Sequence, residues 1–115
     1  MKVTIYHNPR CSKSRRTLEI LQERKTEPEV IDYLKMPPDR ATLERLLKML
    51  RLEPRDLMRK GEPEYKTAGL NDPSLSRAVL IDAMLEHPIL IERPIVVADG
   101  RAVIGRPPEN VLELL

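Results

Sequence analysis

Ile5-Tyr6-His7-Asn8-Pro9-Arg10-Cys11-Ser12-Lys13-Ser14-Arg15-Arg16-Thr17-Leu18 holds the only cysteine of a 115-residue chain and surrounds it with four basic side chains and no acidic one. Ahead of it, Val3-Thr4-Ile5-Tyr6 has the β-branched and aromatic character of a short strand. Behind it, Ser14 to Arg24 has helical spacing, with Leu18, Ile20 and Leu21 on the inner side. Cys11 is therefore predicted on a strand-to-helix turn, near a helix N-terminus. The first turn of a helix leaves backbone N–H groups unpaired and carries partial positive charge, and both stabilise an anion such as a thiolate. A lone cysteine is commonly a small buried hydrophobe. Here Asn8, Arg10, Ser12, Lys13 and Ser14 are poor core residues and Pro9 holds Asn8 in an extended or turn conformation, so the expectation is an exposed, reactive, ionised thiol.

Working outward, Glu29-Val30-Ile31-Asp32-Tyr33-Leu34 reads as a second strand, which completes a βαβ unit with parallel strands. Pro37-Pro38 breaks the chain, and Asp39 caps a helix with Leu43, Leu46, Leu47 and Leu50 inward. From Glu53 to Asn71, prolines and glycines leave only short helical pieces, near Asp56–Met58 and Glu64–Lys66, in a segment able to act as a lid. Ser76 to Glu86 reads as a helix with Val79, Leu80, Ala83 and Met84 inward. Pro94 to Val97 and Ala102 to Ile104 form a hairpin across Ala98-Asp99-Gly100-Arg101, and Pro108 opens a terminal helix with Val111, Leu112 and Leu115 inward. The order is βαβ, a helical insertion at about 37–90, then ββα, all within one α/β domain over 1–115.

Composition excludes several classes. A net charge of +2 with three tyrosines as the only aromatic residues supplies neither a broad basic field nor stacking platforms, so nucleic acid is not an expected partner. Two histidines and one cysteine have no metal-ligand spacing, and no apolar run approaches a membrane span. Met1-Lys2 leads straight into a strand with no signal-peptide stretch, and a single cysteine suits a reducing compartment, so a cytoplasmic location is expected. The local loop is not a phosphatase-type Cys-x5-Arg grip, because the sixth residue after Cys11 is Thr17. One cysteine also excludes an internal disulfide, so any thiol redox cycle needs an outside thiol.

His7-Asn8-Pro9-x-Cys11 followed by Ser14-Arg15-x-Thr17-Leu18 resembles the opening signature of the ArsC-type, glutaredoxin-coupled arsenate reductases, and the longer run through Arg10, Ser12 and Lys13 resembles their YfgD-like branch. The resemblance implies a thioredoxin-like fold with a small mixed sheet, and a cis Pro94 facing the active cysteine. It further implies that the Cys11 thiolate attacks arsenate or a related oxyanion, with glutathione as co-substrate, glutaredoxin as partner and no bound cofactor. Three arginines of the family have counterparts in Arg59, Arg93 and Arg106, whose guanidinium groups suit a multiply charged oxyanion.

Several roles stay open at this level. His7 is either hydrogen-bonded in the turn for structural reasons or a donor or cation for the thiolate. Ser12 and Ser14 are helix caps or thiolate donors, Arg15 and Arg16 are site or solvated charges, and His87 reads as a helix-end residue. Two other functional classes compete with the reductase. One is a monothiol, glutathione-dependent oxidoreductase acting on protein thiols. The other is a regulator of the Spx kind that binds RNA polymerase, against which stands Cys11-Ser12-Lys13-Ser14, a Cys-x-x-Ser where those regulators typically carry Cys-x-x-Cys.

Overall fold

The computed structural model describes residues 2–115, which divide into two compact units: one runs up to Met36 and resumes at Arg93, and the other is Pro37–Glu92. In the first unit, strands β1 (Val3–His7), β2 (Glu29–Asp32), β3 (Ile95–Ala98) and β4 (Arg101–Ile104) form one sheet in the order β2-β1-β3-β4. β1 pairs parallel with β2 and antiparallel with β3, and β3 pairs antiparallel with β4. This is the mixed, thioredoxin-like sheet expected from the sequence. Alternation decides its faces: Val3, Ile5 and His7 of β1 are buried while Thr4 and Tyr6 are half-buried.

Helix α1 (Ser12–Glu23) lays Ser14, Thr17, Ile20 and Leu21 against that sheet, with Leu18 packed at the edge of the core formed by Val3, Ile5, Val96, Ala98, Val111 and Leu114. Asp99 and Gly100 both have positive φ, the geometry of a two-residue turn matched to strand twist, so Ala98 and Arg101 pair within the hairpin. β2 stops at Asp32, two residues earlier than predicted. The reason is local: Asp32 Oδ1 accepts the Leu34 N–H and the Asp32 carbonyl accepts those of Lys35 and Met36, which turns the chain and buries Tyr33. The chain ends in a 3₁₀ helix, Pro108–Leu114, where an α-helix had been predicted. With three residues per turn, Val111 and Leu114 face inward, whereas Leu112 and Leu115 are exposed, contrary to the expected face.

In the second unit, Asp39 caps helix α2 (Arg40–Leu50) by accepting the Thr42 N–H, and Leu43, Leu46 and Leu47 are buried. The irregular stretch that follows contains a 3₁₀ turn (Pro54–Leu57) and helix α3 (Pro63–Thr67). The Arg55 guanidinium binds it together, donating to Tyr65 Oη at 2.8 Å and to the carbonyls of Leu70 and Asp72 at 2.6 and 2.8 Å. Helix α4 (Arg77–Glu86) buries Leu80, Ile81, Ala83 and Met84. Val79 was predicted inward but is 43% exposed, and Ile81 takes the inner position. Among the described residues, no helix is long and apolar enough to cross a membrane.

Candidate active site

Cys11 occupies the N-cap position of α1, with extended backbone and its carbonyl accepting the Arg15 N–H, the first bond of the helix. Its own N–H donates to the Asn8 carbonyl, and Asn8 Oδ1 accepts the Arg10 N–H, so the approach turn is closed by backbone bonds and the Asn8 side chain. Asn8 and Ser14 are buried, at 3% and 0% exposure, which corrects the expectation that polar neighbours would keep them at the surface. Each is satisfied internally. Ser14 Oγ accepts the Asn8 N–H at 3.0 Å and lies 2.6 Å from His7 Nδ1. With one lone pair used by the Asn8 N–H, the hydroxyl keeps its proton and a second lone pair for the imidazole, so it can pair with either tautomer. Burial lowers His7 from its ordinary value, with Asp32 opposing and Arg15 reinforcing the shift, which favours the neutral ring hydrogen-bonded in the turn.

The sulfur is partly exposed and free of any disulfide. Burial would raise its pKa. The backbone N–H of Ser14, the Arg93 side chain, the backbone N–H of Lys13 and the Arg106 side chain together outweigh burial and hold the thiol below its ordinary value. The helix-end amides thus act as the sequence reading expected, and two distant arginines join them where it had looked to the neighbouring charges. Arg15 is turned elsewhere, its Nη1 donating to the Pro9 carbonyl at 2.9 Å, and Arg16 pairs with Glu23.

Arg106 Nη1 lies 3.8 Å from Cys11 Sγ and 3.1 Å from the Arg93 carbonyl, which it donates to. The Arg93–Pro94 and Arg106–Pro107 peptides are both cis, the second not foreseen. Arg59 is in the other unit, where its Nε lies 3.3 Å from Glu62 and its Nη1 2.5 Å from Glu92. Its segment is fixed by backbone bonds of Arg59 N–H to the Leu90 carbonyl and Glu92 N–H to the Leu57 carbonyl.

Two further residues escaped the sequence reading. A Cβ placed on Gly105 would stand 2.5 Å from Thr17 Oγ1, 2.8 Å from Pro94 Cγ and 3.1 Å from Thr17 Cγ2. Only a glycine lets β4 run this close to α1 and Pro94 immediately before Arg106, and the Gly105 N–H donates to the Pro94 carbonyl at 2.9 Å. A glycine directly after a strand pattern was the available signal. Thr17 is fully buried, its Oγ1 donating to the Lys13 carbonyl. Among the described residues, no three His, Cys, Asp or Glu side chains converge as a metal site would require.

The arrangement provides an ionisable thiol with amide and guanidinium donors on one side, the chemistry of a nucleophile facing an anion. The YfgD protein of Escherichia coli (strain K12) is 58% identical to this chain over 115 residues, covering 99% of this chain and 97% of its own length. An arsenate reductase of Neisseria meningitidis is 45% identical over 115 residues, covering 99% and 98%. The solved structure of an arsenate reductase from Vibrio cholerae has a TM-score of 0.97 at 53% sequence identity, covering 100% of this chain and 98% of that one. The profile of the ArsC family matches residues 6–114, and with relatives this similar along nearly its whole length, the chain belongs to the ArsC family.

Proposed function

We propose that this chain is a cytoplasmic arsenate reductase that works through the single thiolate of Cys11, with glutathione as co-substrate and glutaredoxin as the partner that restores the enzyme. The observation that carries the reading is the depressed Cys11 thiol within 3.8 Å of Arg106 Nη1. The relatives named arsenate reductase support it. Cys11 Sγ bonds to arsenic as an arsenate oxygen leaves as water. A glutathione sulfur then bonds to Cys11 Sγ while the S–As electron pair returns to arsenic, which departs as arsenite. Arsenic gains two electrons and each sulfur gives up one, and glutaredoxin accepts the glutathionyl group from Cys11. Arg93 and Arg106 hold the oxyanion and its developing charge, with Arg59 as the third guanidinium; His7, Asn8 and Ser14 fix the turn, and Arg15 clamps it through Pro9.

Arsenate turnover with glutathione and glutaredoxin, measured beside Cys11→Ser, tests the proposal. The parent is expected to form arsenite and the variant none. A parent that reduces no arsenate yet exchanges readily with glutathione disulfide would put the monothiol oxidoreductase in its place.

A further inference from the structure

A cleft of about 360 Å³ opens beside the Cys11 turn, lined by Asn8, Pro9 and Arg10 from the loop after β1 and by Asp32, Leu34 and Lys35 from the turn after β2. β1 and β2 are parallel, with His7 paired to Asp32 at their carboxyl ends, so the cleft lies outside the carboxyl ends of two adjacent parallel strands. Its volume falls within the range of about 300–1,000 Å³ usual for small-molecule sites. Among the described residues, neither the Arg10 guanidinium nor the Lys35 ammonium enters an ion pair, whereas Arg16, Arg40, Arg59 and Arg77 all do. Asp32 is anchored by its bonds to the Leu34, Lys35 and Met36 N–H groups, and places a carboxylate in the same cleft. Arg10 is one peptide from Cys11, about 3.8 Å between Cα atoms.

We propose that this cleft seats the thiol co-substrate, a small peptide thiol with carboxylates for Arg10 and Lys35 and an ammonium group for Asp32. The inference rests on the proposed function in one respect, that Cys11 turns over with an outside thiol. The lining tells the co-substrate from the oxyanion: a bare anion would be repelled by Asp32 and would gain nothing from Pro9 and Leu34. An extended zwitterion with a short apolar middle meets all of them. With its ends held there, the sulfur of the ligand is delivered to the neighbouring Cys11.

The test uses thiol-disulfide exchange on the intact protein and needs no arsenate. In it the Cys11 thiolate attacks glutathione disulfide, a Cys11–glutathione S–S bond forms, the original S–S bond breaks, and the second glutathione leaves as thiolate. Hydroxyethyl disulfide, which carries no charge, undergoes the same exchange without the charged ends. The readout is the ratio of the two second-order rates, followed by mass spectrometry. The parent should favour glutathione disulfide. In Lys35→Glu the ratio should fall about fivefold and in Arg10→Gln/Lys35→Glu about tenfold, as expected for exposed charge contacts. Both sites are at the surface, so the variants are expected to fold. A ratio that stays at the parent value in both variants overturns the cleft assignment while leaving the proposed function standing. A parent inert to both disulfides overturns the proposed function, and this inference with it.

Discussion

Arg106 Nη1 stands 3.8 Å from Cys11 Sγ although ninety-five residues separate the two in the chain. The contact is set by β4, which delivers Arg106 to the N-terminus of α1, where the amides of Lys13 and Ser14 already face the sulfur. Alkylation by iodoacetamide followed against pH should therefore give a midpoint below the ordinary thiol value of about 8.5, and Arg106→Ala should move it upward. A parent midpoint at or above that value sinks the idea. Folding stability follows with a definite sign. A thiol depressed in the native state adds stability that is present above the ordinary value and lost as pH falls through the native pKa. Relative to Cys11→Ser, the parent should gain stability in urea unfolding as pH rises through that window.

Gly105 makes the approach of β4 possible, and Ala there meets Thr17 and the Pro94 ring at distances that side chains do not tolerate. Gly105→Ala should cost about 1–3 kcal/mol, the range for overpacking a filled core, and should raise the Cys11 alkylation midpoint because Arg106 is displaced. Adding Thr17→Ala removes two of the three close contacts, so the double variant should recover part of both losses. If Gly105→Ala matches the parent in stability and in thiol titration, β4 has room to spare and does not set the arginine.

The fold was largely legible because its signals are local. The strand before Pro9, the leucines of α2 at helical spacing and Asp99-Gly100 in the hairpin each state their structure within a few residues. Misreadings came where packing overrules local pattern. Val79 and Ile81 are both apolar, and only tertiary contact decides which is inside; the last turn tightens to a 3₁₀ period that shifts the buried face to Leu114. Cys11 was legible at the site through its helix end. The helix-end amides that support the sulfur were legible with it, whereas Arg93 and Arg106 entered only through the family resemblance because they reach it from the far end of the chain, and the Ser14 hydroxyl is spent on His7 and Asn8. The ties of Arg59 to Glu62 and Glu92 depend on backbone pairing of Met58 with Ile91, which no local pattern announces.

Those carboxylates make the three arginines separable by experiment. Arg93→Ala and Arg106→Ala, if these guanidiniums hold the oxyanion as proposed, should each lower arsenate turnover at least about tenfold, or ~1.4 kcal/mol of transition-state stabilisation. Arg93→Lys should rescue poorly, since an ammonium keeps the charge and loses the planar fork. Arg59→Ala should differ in kind. It removes the guanidinium that the half-buried Glu62 and Glu92 both contact, so stability should fall as well as turnover. Turnover for that variant must accordingly be read per folded molecule, from urea unfolding measured in parallel. If all three Ala variants, corrected for folded fraction, turn over arsenate like the parent, the anion is held by other groups and the arginines have only structural roles.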